Sequence, residues 1–316
     1  MNKPLVSILI CCHNRGHLLP QTMESVFAQE YKPVEIVVLD DGSTDNTPEL
    51  MASFGDRVRY YWQENQGVAA ARTAACRLAK GEYIAFQDDD DLMPPKRIIL
   101  LYEALCQHPK ASFAMGDWAC IDREGNFTGE RSNFKIKLGA KDNETFLIED
   151  GYKAVLWPLV SPVPHTTLFR KADGERIGWF DTRFFHSCED TDFFARCGQL
   201  GPIEYVPEIV SYYRQISGSL CKNNVLVEYS KLLLFEKHLK TLTAERKDLQ
   251  EQLKLRLLSA LNRIEFLKSQ GKDELTSICK DYMKRGLAQL DIKGRFSHMF
   301  FKSIKLPIRN MLVGDN

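Results

Sequence analysis

Four consecutive aspartates follow a short apolar segment in the first third of the chain. Tyr83 to Phe86 reads as a buried strand, and the run from Asp88 to Asp91 comes almost directly after it. Four like charges at a strand end repel one another, so they are either fully solvated or neutralised by a cation. Hard divalent ions such as Mg²⁺ and Mn²⁺ take carboxylate oxygens as ligands. The run therefore indicates either a metal site or an acidic turn that caps a helix starting at Pro94 or Pro95.

Polar side chains also follow two earlier apolar segments. Val6 to Cys12 is typical of a strand buried on both faces of a parallel sheet, and His13 and Asn14 come after it. Val34 to Leu39 is a second segment of this kind, and it leads into Asp41. Open α/β sheets bind ligands beyond the carboxyl ends of their strands. We therefore expect these side chains and the aspartate run to share one site.

Strands alternate with helices over the first part of the chain. Val58 to Trp62 and Ser112 to Trp118 predict further strands, and His17 to Gln29 and Gly67 to Ala79 predict helices, the second of which carries Arg72. This alternation predicts βαβ units and an α/β fold, with a sheet that helices cover on both sides.

The pattern is less regular further along the chain. Gly125 to Asp150 shows no clear periodicity and is expected to be a mobile excursion. Order is expected to resume at Thr166 to Arg170, followed by a helix from Glu189 to Leu200 and a last strand at Val206 to Arg214. From Val225 to Leu267 the spacing of leucines predicts helices that pack on the preceding domain or on a second copy of the chain.

The composition is that of a globular protein. The 316 residues include 42 basic and 42 acidic side chains and are 44% hydrophobic, which argues against a disordered chain or a nucleic-acid partner. The nine cysteines contain no CxxC pair, which favours reduced thiols over disulfides or a zinc site. The apolar run before His13 is too short for a signal peptide or a bilayer span. We therefore expect a cytoplasmic protein.

The C-terminal tail combines basic and aromatic residues. Lys280 to Arg309 holds eight Lys or Arg and two Asp, interleaved with aromatic side chains. This combination suits an anionic membrane surface, although a solvated helix face also explains the charges. The tail therefore predicts peripheral docking on the inner face of a membrane as one of two alternatives.

Motifs in a fixed order resemble the family 2 glycosyltransferases, which are inverting enzymes of the GT-A fold. The resemblance covers about residues 4 to 220. The matching segments are Val6 to Ile10 with Asn14, Glu35 to Asp45, Asn65 to Arg72, Gly81 to Asp91, Gly178 to Asp181, and Glu189 with Asp190.

The resemblance implies a GT-A sheet, which is Rossmann-like and binds a nucleotide sugar, covered by helices and followed by a helical C-terminal extension. Residues 1–224 are then the catalytic domain, with a nucleotide-binding half at 1–118 and an acceptor-side half at 119–224, and 225–316 form the extension. The implied reaction moves a sugar from a nucleotide sugar, usually UDP-linked in this family, to a hydroxyl of a saccharide or a lipid-linked saccharide. The implied setting is bacterial-type cell-surface polysaccharide or lipopolysaccharide synthesis.

The resemblance also implies roles for donor-side residues. Asp88 and Asp90 match the D-x-D positions that hold Mn²⁺ or Mg²⁺, with Asp90 as the direct ligand and Asp88 or Asp89 nearer the ribose. Asp41 matches the carboxylate that accepts a hydrogen bond from the base, and Arg72 lies where a cation approaches the base or the diphosphate. His13 and Asn14 are assigned to the same donor site. His13 occupies the position at which the family often has a tyrosine against the base.

Two further assignments follow from the resemblance. Asp190 matches the general base that takes the proton from the acceptor hydroxyl. Near the end of the domain the family often has a histidine where this chain has Ile216. Phosphate contacts there are then expected from Arg214, Ser217 or Ser219.

Other classes of protein share parts of this pattern. A Rossmann dehydrogenase needs G-x-G-x-x-G after the first strand, and Cys11 to Gly16 does not supply it. A sugar nucleotidyltransferase has a similar architecture, but its glycine-rich basic loop for a triphosphate is not found in the sequence. A catalytically silent nucleotide-sugar-binding or scaffold protein of the same fold stays open, although Asp41, Asp90 and Asp190 favour an enzyme.

Overall fold

The computed structural model describes residues 3–132, 134–139, 144–184, 187–215 and 224–269, and within them nine strands form one sheet. The strands are β1 (Val6–Cys12), β2 (Val34–Asp41), β3 (Arg59–Gln63), β4 (Tyr83–Asp88), β5 (Phe113–Ile121), β6 (Phe127–Arg131), β7 (Phe146–Ile148), β8 (Thr167–Arg170) and β9 (Ile203–Arg214). The predicted tail from Lys280 to Arg309 lies outside the described residues, as do Ser217 and Ser219.

Helices lie between the strands and after the last one. They are α1 (Leu19–Phe27), α2 (Thr47–Ser53), α3 (Val68–Leu78), α4 (Arg97–Gln107), α5 (Phe134–Leu138), α6 (Gly151–Leu156), α7 (Lys171–Ile177), α8 (Glu189–Gly198), α9 (Asn224–Thr241) and α10 (Lys247–Ser269). None of the helices in these described ranges combines the length and the hydropathy that crossing a lipid bilayer requires.

The sheet has a parallel half and a mixed half. Its strand order is β3-β2-β1-β4-β8-β5-β9-β7, and β6 pairs with β5 off this path. Strands β3, β2, β1 and β4 are all parallel, whereas β8 runs antiparallel to both of its neighbours. The parallel half arises because each of its strands is connected to the next through a helix on a face of the sheet. The predicted α/β sheet covered by helices is confirmed.

Helices cover both faces because alternate side chains of each strand point to opposite sides. In β1, Ile8 and Ile10 pack in a core with α1, α2 and α4, and Leu9 packs in the opposite core with α3, α6 and α8. Both faces of β1 are therefore buried, which explains its uninterrupted apolar sequence.

The C-terminal helices belong to the second of these cores. Leu232 and Leu233 of α9 and Leu249 and Leu253 of α10 are buried in the same cluster as the aromatic residues of α8. The helical prediction for this part of the chain is therefore confirmed for the described residues. The boundary between a catalytic domain at 1–224 and an extension at 225–316 stays a prediction.

The segment from Gly125 to Asp150 contains regular structure although its sequence shows no clear periodicity. Its described parts include β6, α5 and β7. All five residues of β6 are exposed, so this edge strand carries no alternation of apolar and polar residues. Only its pairing with β5, visible in the folded chain, identifies it as a strand.

Candidate active site

The parallel strands bring the predicted polar residues to one edge of the sheet. Cys12 of β1 is paired with Asp40 of β2, and Cys11 is paired with Asp88 of β4. The residues that follow these pairs in β1 and β2 are therefore neighbours of the start of the aspartate run. The structure therefore brings the polar residues together at the edge where the sequence predicts a site; their role stays a prediction.

Asp41 organises the turn that begins α3. Its carboxylate accepts hydrogen bonds from Nε2 of Gln63 at 2.7 Å, from the backbone N of Gln66 at 3.0 Å and from the backbone N of Gly67 at 2.9 Å. Gly42 has a φ of +84°, and a Cβ there would lie 2.9 Å from the backbone N of Asn65. Asp41 and the chain after it thus form a close-packed backbone surface at the edge of the sheet.

His13 and Asn14 lie exposed over this turn. The Nδ1 atom of His13 is 2.9 Å from the backbone oxygen of Asp41, and because that oxygen can only accept, Nδ1 carries the proton and donates. The Nε2 atom then accepts from the side-chain amide of Asn14 at 3.1 Å. The oxygen of that amide accepts from the backbone N of Thr44 at 2.8 Å. The imidazole ring is therefore oriented by bonds on both of its nitrogens.

The aspartate run is not a solvated turn, and it does not cap a helix. Asp91 is fully buried and accepts from the backbone N of Arg214 at 2.8 Å. The next helix, α4, begins at Arg97 and has no side-chain cap. Asp89 accepts from the backbone N of His13 at 3.4 Å. Burial and the neighbouring Asp88 carboxylate raise the pKa of Asp90 to about 6. The carboxylates of the run therefore repel one another in a partly desolvated place.

Three side chains at this place can hold a metal ion. One ligand atom from each of Asp88, Asp91 and His165 lies within 4.8 Å of the other two. The Oδ2 atom of Asp91 is buried without a hydrogen bond and is 3.3 Å from Nδ1 of His165. Burial lowers the pKa of His165 to about 4, so at neutral pH its imidazole is neutral, which is the form that ligates metals. Two carboxylates and an imidazole are together a set of ligands that can hold a divalent metal ion.

This set contains two residues that were not predicted as metal ligands, and it lacks one that was. The sequence prediction named Asp90 and Asp88, and the structure groups Asp88 with Asp91 and His165 instead. His165 was missed because it lies in a short turn, Pro164–Thr166, far along the chain from the aspartates. A single histidine directly after a proline-rich segment and before a strand is a weak signal that was available in the sequence.

Arg72 bridges the aspartate run and the start of α8. Its guanidinium donates to Oδ1 of Asp88 at 3.1 Å and to Oε1 of Glu189 at 2.6 Å, and only 8% of the residue is exposed. The rings of Phe86 and Phe180 each lie 5.9 Å from its charged centre. Arg72 was expected at the base or the diphosphate. In this structure each of its two terminal guanidinium nitrogens donates to a carboxylate instead. It joins two parts of the chain that are separated by more than 100 residues.

Glu189 and Asp190 open α8 beside this cation. Burial and the charge of Asp190 raise the pKa of Glu189 to about 7. Burial also raises the pKa of Asp190, although Arg72 lowers it in part. The Asp190 carboxylate accepts from the backbone N of Thr191 at 2.6 Å. A half-buried carboxylate with a raised pKa beside a cation is suited to accept a proton.

Arg214 lies behind the aspartate run and braces it. Only 1% of the residue is exposed, and its guanidinium donates to the backbone oxygens of Asp90, Asp122 and Arg123 and to the side chain of Gln21. Because these acceptors occupy its three guanidinium nitrogens, a phosphate contact from Arg214 is not favoured in this arrangement. The predicted contacts from Ser217 and Ser219 lie outside the described residues.

The chain belongs to the glycosyl transferase family 2, whose model matches residues 7–178, more than half of the sequence. Among curated proteins it is similar to glycosyltransferase GlyG of Streptococcus pneumoniae serotype 4, with 38% identity over 128 residues, which is 39% of this chain and 42% of GlyG. The chain spans less than half the length of the curated relatives it matches.

Solved structures support the fold. TarS 1-349 of S. aureus in complex with UDP-GlcNAc is similar with a TM-score of 0.60 and 18% identity, covering 82% of this chain and 72% of that one. The mannosyltransferase PcManGT of Pyrobaculum calidifontis, in complex with GDP-Man and Mn²⁺, is similar with a TM-score of 0.57 and 17% identity, covering 90% and 81%. At these identities the likeness establishes the GT-A fold and nothing finer.

Proposed function

We propose that this chain is an inverting glycosyltransferase that moves a sugar from a UDP-linked donor to a hydroxyl of a saccharide or lipid-linked saccharide. The observation that carries the proposal is the Arg72 bridge, which joins Asp88 on the donor side to Glu189, the neighbour of Asp190. A metal-capable carboxylate and the residue next to the candidate base thereby pair with the same cation. The family membership and the UDP-GlcNAc bound by TarS support the same reading.

On the donor side, Asp41, His13 and Asn14 are proposed to bind the base. A carboxylate has about four acceptor positions. In Asp41, protein donors occupy three of them, which leaves one for an N–H group of a uracil ring. His13 offers an oriented, exposed ring for stacking. Asp88 or Asp89 is proposed to lie nearer the ribose.

The metal is proposed to be Mn²⁺ or Mg²⁺, held by Asp88 and Asp91 with His165, or by Asp88 and Asp90 as the family resemblance implies. A bound divalent cation would stabilise the negative charge that develops on the diphosphate leaving group. The imidazole in the first set favours Mn²⁺ over Mg²⁺, which prefers oxygen ligands. The Mn²⁺ bound by PcManGT supports this preference.

Asp190 is proposed to act as the general base. In a direct displacement, the acceptor oxygen forms a bond to the anomeric carbon while the bond to the diphosphate breaks. The proton of the acceptor hydroxyl passes to Asp190, and the leaving diphosphate keeps the electron pair. The raised pKa of Asp190 makes its carboxylate a stronger base than an ordinary aspartate.

A thermal-shift screen of UDP-GlcNAc, UDP-glucose, UDP-galactose and GDP-mannose, with and without Mn²⁺, tests the proposal. Ligands that bind the folded state raise the unfolding temperature by mass action, and we expect the largest rise with a UDP-sugar and Mn²⁺. Release of UDP is then measured by mass spectrometry. Stabilisation without any release of nucleotide would favour a catalytically silent binding protein. UTP is added to the same screen, and stabilisation by UTP alone would favour a nucleotidyltransferase.

Replacement of Arg72 tests whether its charge lowers the pKa of Asp190, the proposed general base. Arg72 lowers the pKa of Asp190, so Arg72→Met should raise it, and a larger fraction of Asp190 is then protonated at neutral pH. The acid limb of the kcat profile should therefore move to higher pH. The control is Arg77→Met, an exposed arginine on the same helix, which should leave the profile in place. An unmoved acid limb in the Arg72 variant would show that Asp190 does not set it.

The acceptor, the biosynthetic setting and the location of the protein remain predictions. A role in cell-surface polysaccharide or lipopolysaccharide synthesis would place the acceptor on a lipid carrier. The basic tail from Lys280 to Arg309 is then proposed to dock on the anionic inner face of the membrane. A homodimer through the C-terminal helices is proposed as the alternative use of this part of the chain.

A further inference from the structure

Helix α9 delivers two basic side chains to the segment that carries Asp190. The Nζ atom of Lys237 is 2.8 Å from Oδ2 of Asp181 and 2.5 Å from Oδ1 of Asp192. The Nε2 atom of His238 is 3.2 Å from the same oxygen of Asp192. Lys237 therefore touches the chain both before and after Asp190.

The contacts with Asp192 are buried on the side of the carboxylate, whereas Lys237 and Asp181 are both partly exposed. Asp192 is fully buried, His238 is 2% exposed and the side chain of Lys237 is 18% exposed. Although burial alone would raise the pKa of Asp192, the neighbouring His238, Arg196 and Lys237 lower it, so this carboxylate is charged at neutral pH. Charges in a low-dielectric place interact strongly and tolerate little change of geometry.

Lys237 also contacts the middle of this segment. Its ammonium lies 5.5 Å from the centre of the Phe184 ring, and Phe184 is fully buried. Lys237 thus holds three points, Asp181, Phe184 and Asp192, along the part of the chain that leads into α8. Asp190 lies between the last two of these points.

Stability alone gives little reason for this arrangement. Apolar side chains such as Leu233 and Phe235 already bury α9 in the core, and buried ion pairs often contribute less to stability than apolar residues of the same volume. Fixed charge pairs do, however, define one relative placement of the elements that they join. The contacts of Lys237 are therefore suited to setting where the first turn of α8 lies.

We propose that Lys237 is a positioning residue of the catalytic centre, which sets the place of Asp190 by holding Asp181 and Asp192 on either side of it. His238 supports the same carboxylate of Asp192. The C-terminal helical part of the chain is then part of the catalytic apparatus and not an appendage. This inference rests on the proposed role of Asp190 as general base.

Lys237→Met tests the inference, with turnover of UDP-GlcNAc in the presence of Mn²⁺ measured as UDP released. Small displacements of a catalytic group cost up to about 100-fold in rate, so we expect kcat to fall about 10- to 100-fold. The KM for UDP-GlcNAc and the Kd for UDP should stay unchanged, because the donor residues lie on other elements. Lys237→Arg should restore most of the activity. Lys240→Met is the matched control, since Lys240 lies on the same helix, pairs with Glu236 and is 55% exposed.

A double-mutant cycle separates positioning from general damage. If Lys237 acts through Asp192, combining Lys237→Met with Asp192→Asn should lower kcat no further than the more severe single change. Multiplying losses would overturn the inference. If circular dichroism shows that Lys237→Met does not fold, Asp181→Asn replaces it, because that change removes one of the two carboxylate partners of Lys237. The expected result is the same: a lower kcat and an unchanged KM.

The inference and the proposed function can fail separately. If Lys237→Met turns over at the wild-type rate while Asp190→Asn is inactive, Lys237 has no positioning role, and the proposal that Asp190 is the general base is unaffected. Full activity in Asp190→Asn instead overturns the proposed mechanism, and with it the reason for any positioning of that residue.

Discussion

Asp190→Asn should lower kcat by about two to four orders of magnitude, the usual contribution of general acid–base catalysis. The amide preserves the size of the side chain and can still accept from the backbone N of Thr191, so the start of α8 should keep its shape. It cannot take the proton of an acceptor hydroxyl. Binding of UDP in the presence of Mn²⁺, measured by calorimetry, should be retained, because the donor residues lie at the ends of β1, β2 and β4.

The control for this change is Asp173→Asn on α7. Asp173 is also a partly buried aspartate whose pKa burial raises, and it lies 3.8 Å from Arg170 outside the site. We expect its kcat to stay within a few-fold of the wild type. Activity of the Asp190 variant at that same level would remove Asp190 from the mechanism. In the wild type, kcat should fall as the pH falls, since protonation of a carboxylate with a raised pKa removes the base.

The second large effect is expected from Asp88→Asn. Asp88 belongs both to the metal set grouped by the structure and to the set implied by the family resemblance. Loss of metal-supporting groups that do not themselves touch the ion costs 10- to 100-fold in affinity, so loss of a direct ligand should cost about 100-fold or more. Calorimetry with UDP should show that Mn²⁺ no longer increases the affinity. Unchanged dependence on Mn²⁺ would exclude Asp88 as a ligand.

Two further variants decide between the two metal sets. His165→Gln should abolish the effect of Mn²⁺ on UDP binding if the ion lies among Asp88, Asp91 and His165. Asp90→Asn should do so if Asp88 and Asp90 hold the ion. Asp122→Asn serves as the control, because the carboxylate of Asp122 accepts its hydrogen bonds from Asn126 of its own turn and belongs to neither metal set. The same calorimetric titration is used for all three proteins.

The sequence by itself determined the parallel half of the sheet and the edge at which the site lies. The bounds predicted for β1, Val6 to Cys12, agree with the structure at both ends. A strand that is buried on both faces must be apolar along its whole length. The first and last residues of the apolar run therefore predict the ends of the strand. The order of strands and helices then places Asp41 and Asp88 at one edge, because parallel strands share the direction in which they end.

Only the tertiary structure decided which side chains meet at that edge. Arg72 and Glu189 are separated by 117 positions, and their pairing follows from the packing of α3 and α8 on the same face of the sheet. His165 reaches Asp91 because β8 is inserted antiparallel between β4 and β5, which no local pattern of residues signals.

The contact of Lys237 with the segment before α8 has the same origin. Local sequence specifies the spacing of leucines that makes α9 a helix, and this spacing depends on neighbours three and four residues away. Which carboxylate a lysine on that helix meets depends on how two distant elements dock, and that docking is set by the shape of the whole core. From the sequence alone, a lysine on a helix is therefore predicted to be solvated, and only the folded structure shows which carboxylates it pairs with.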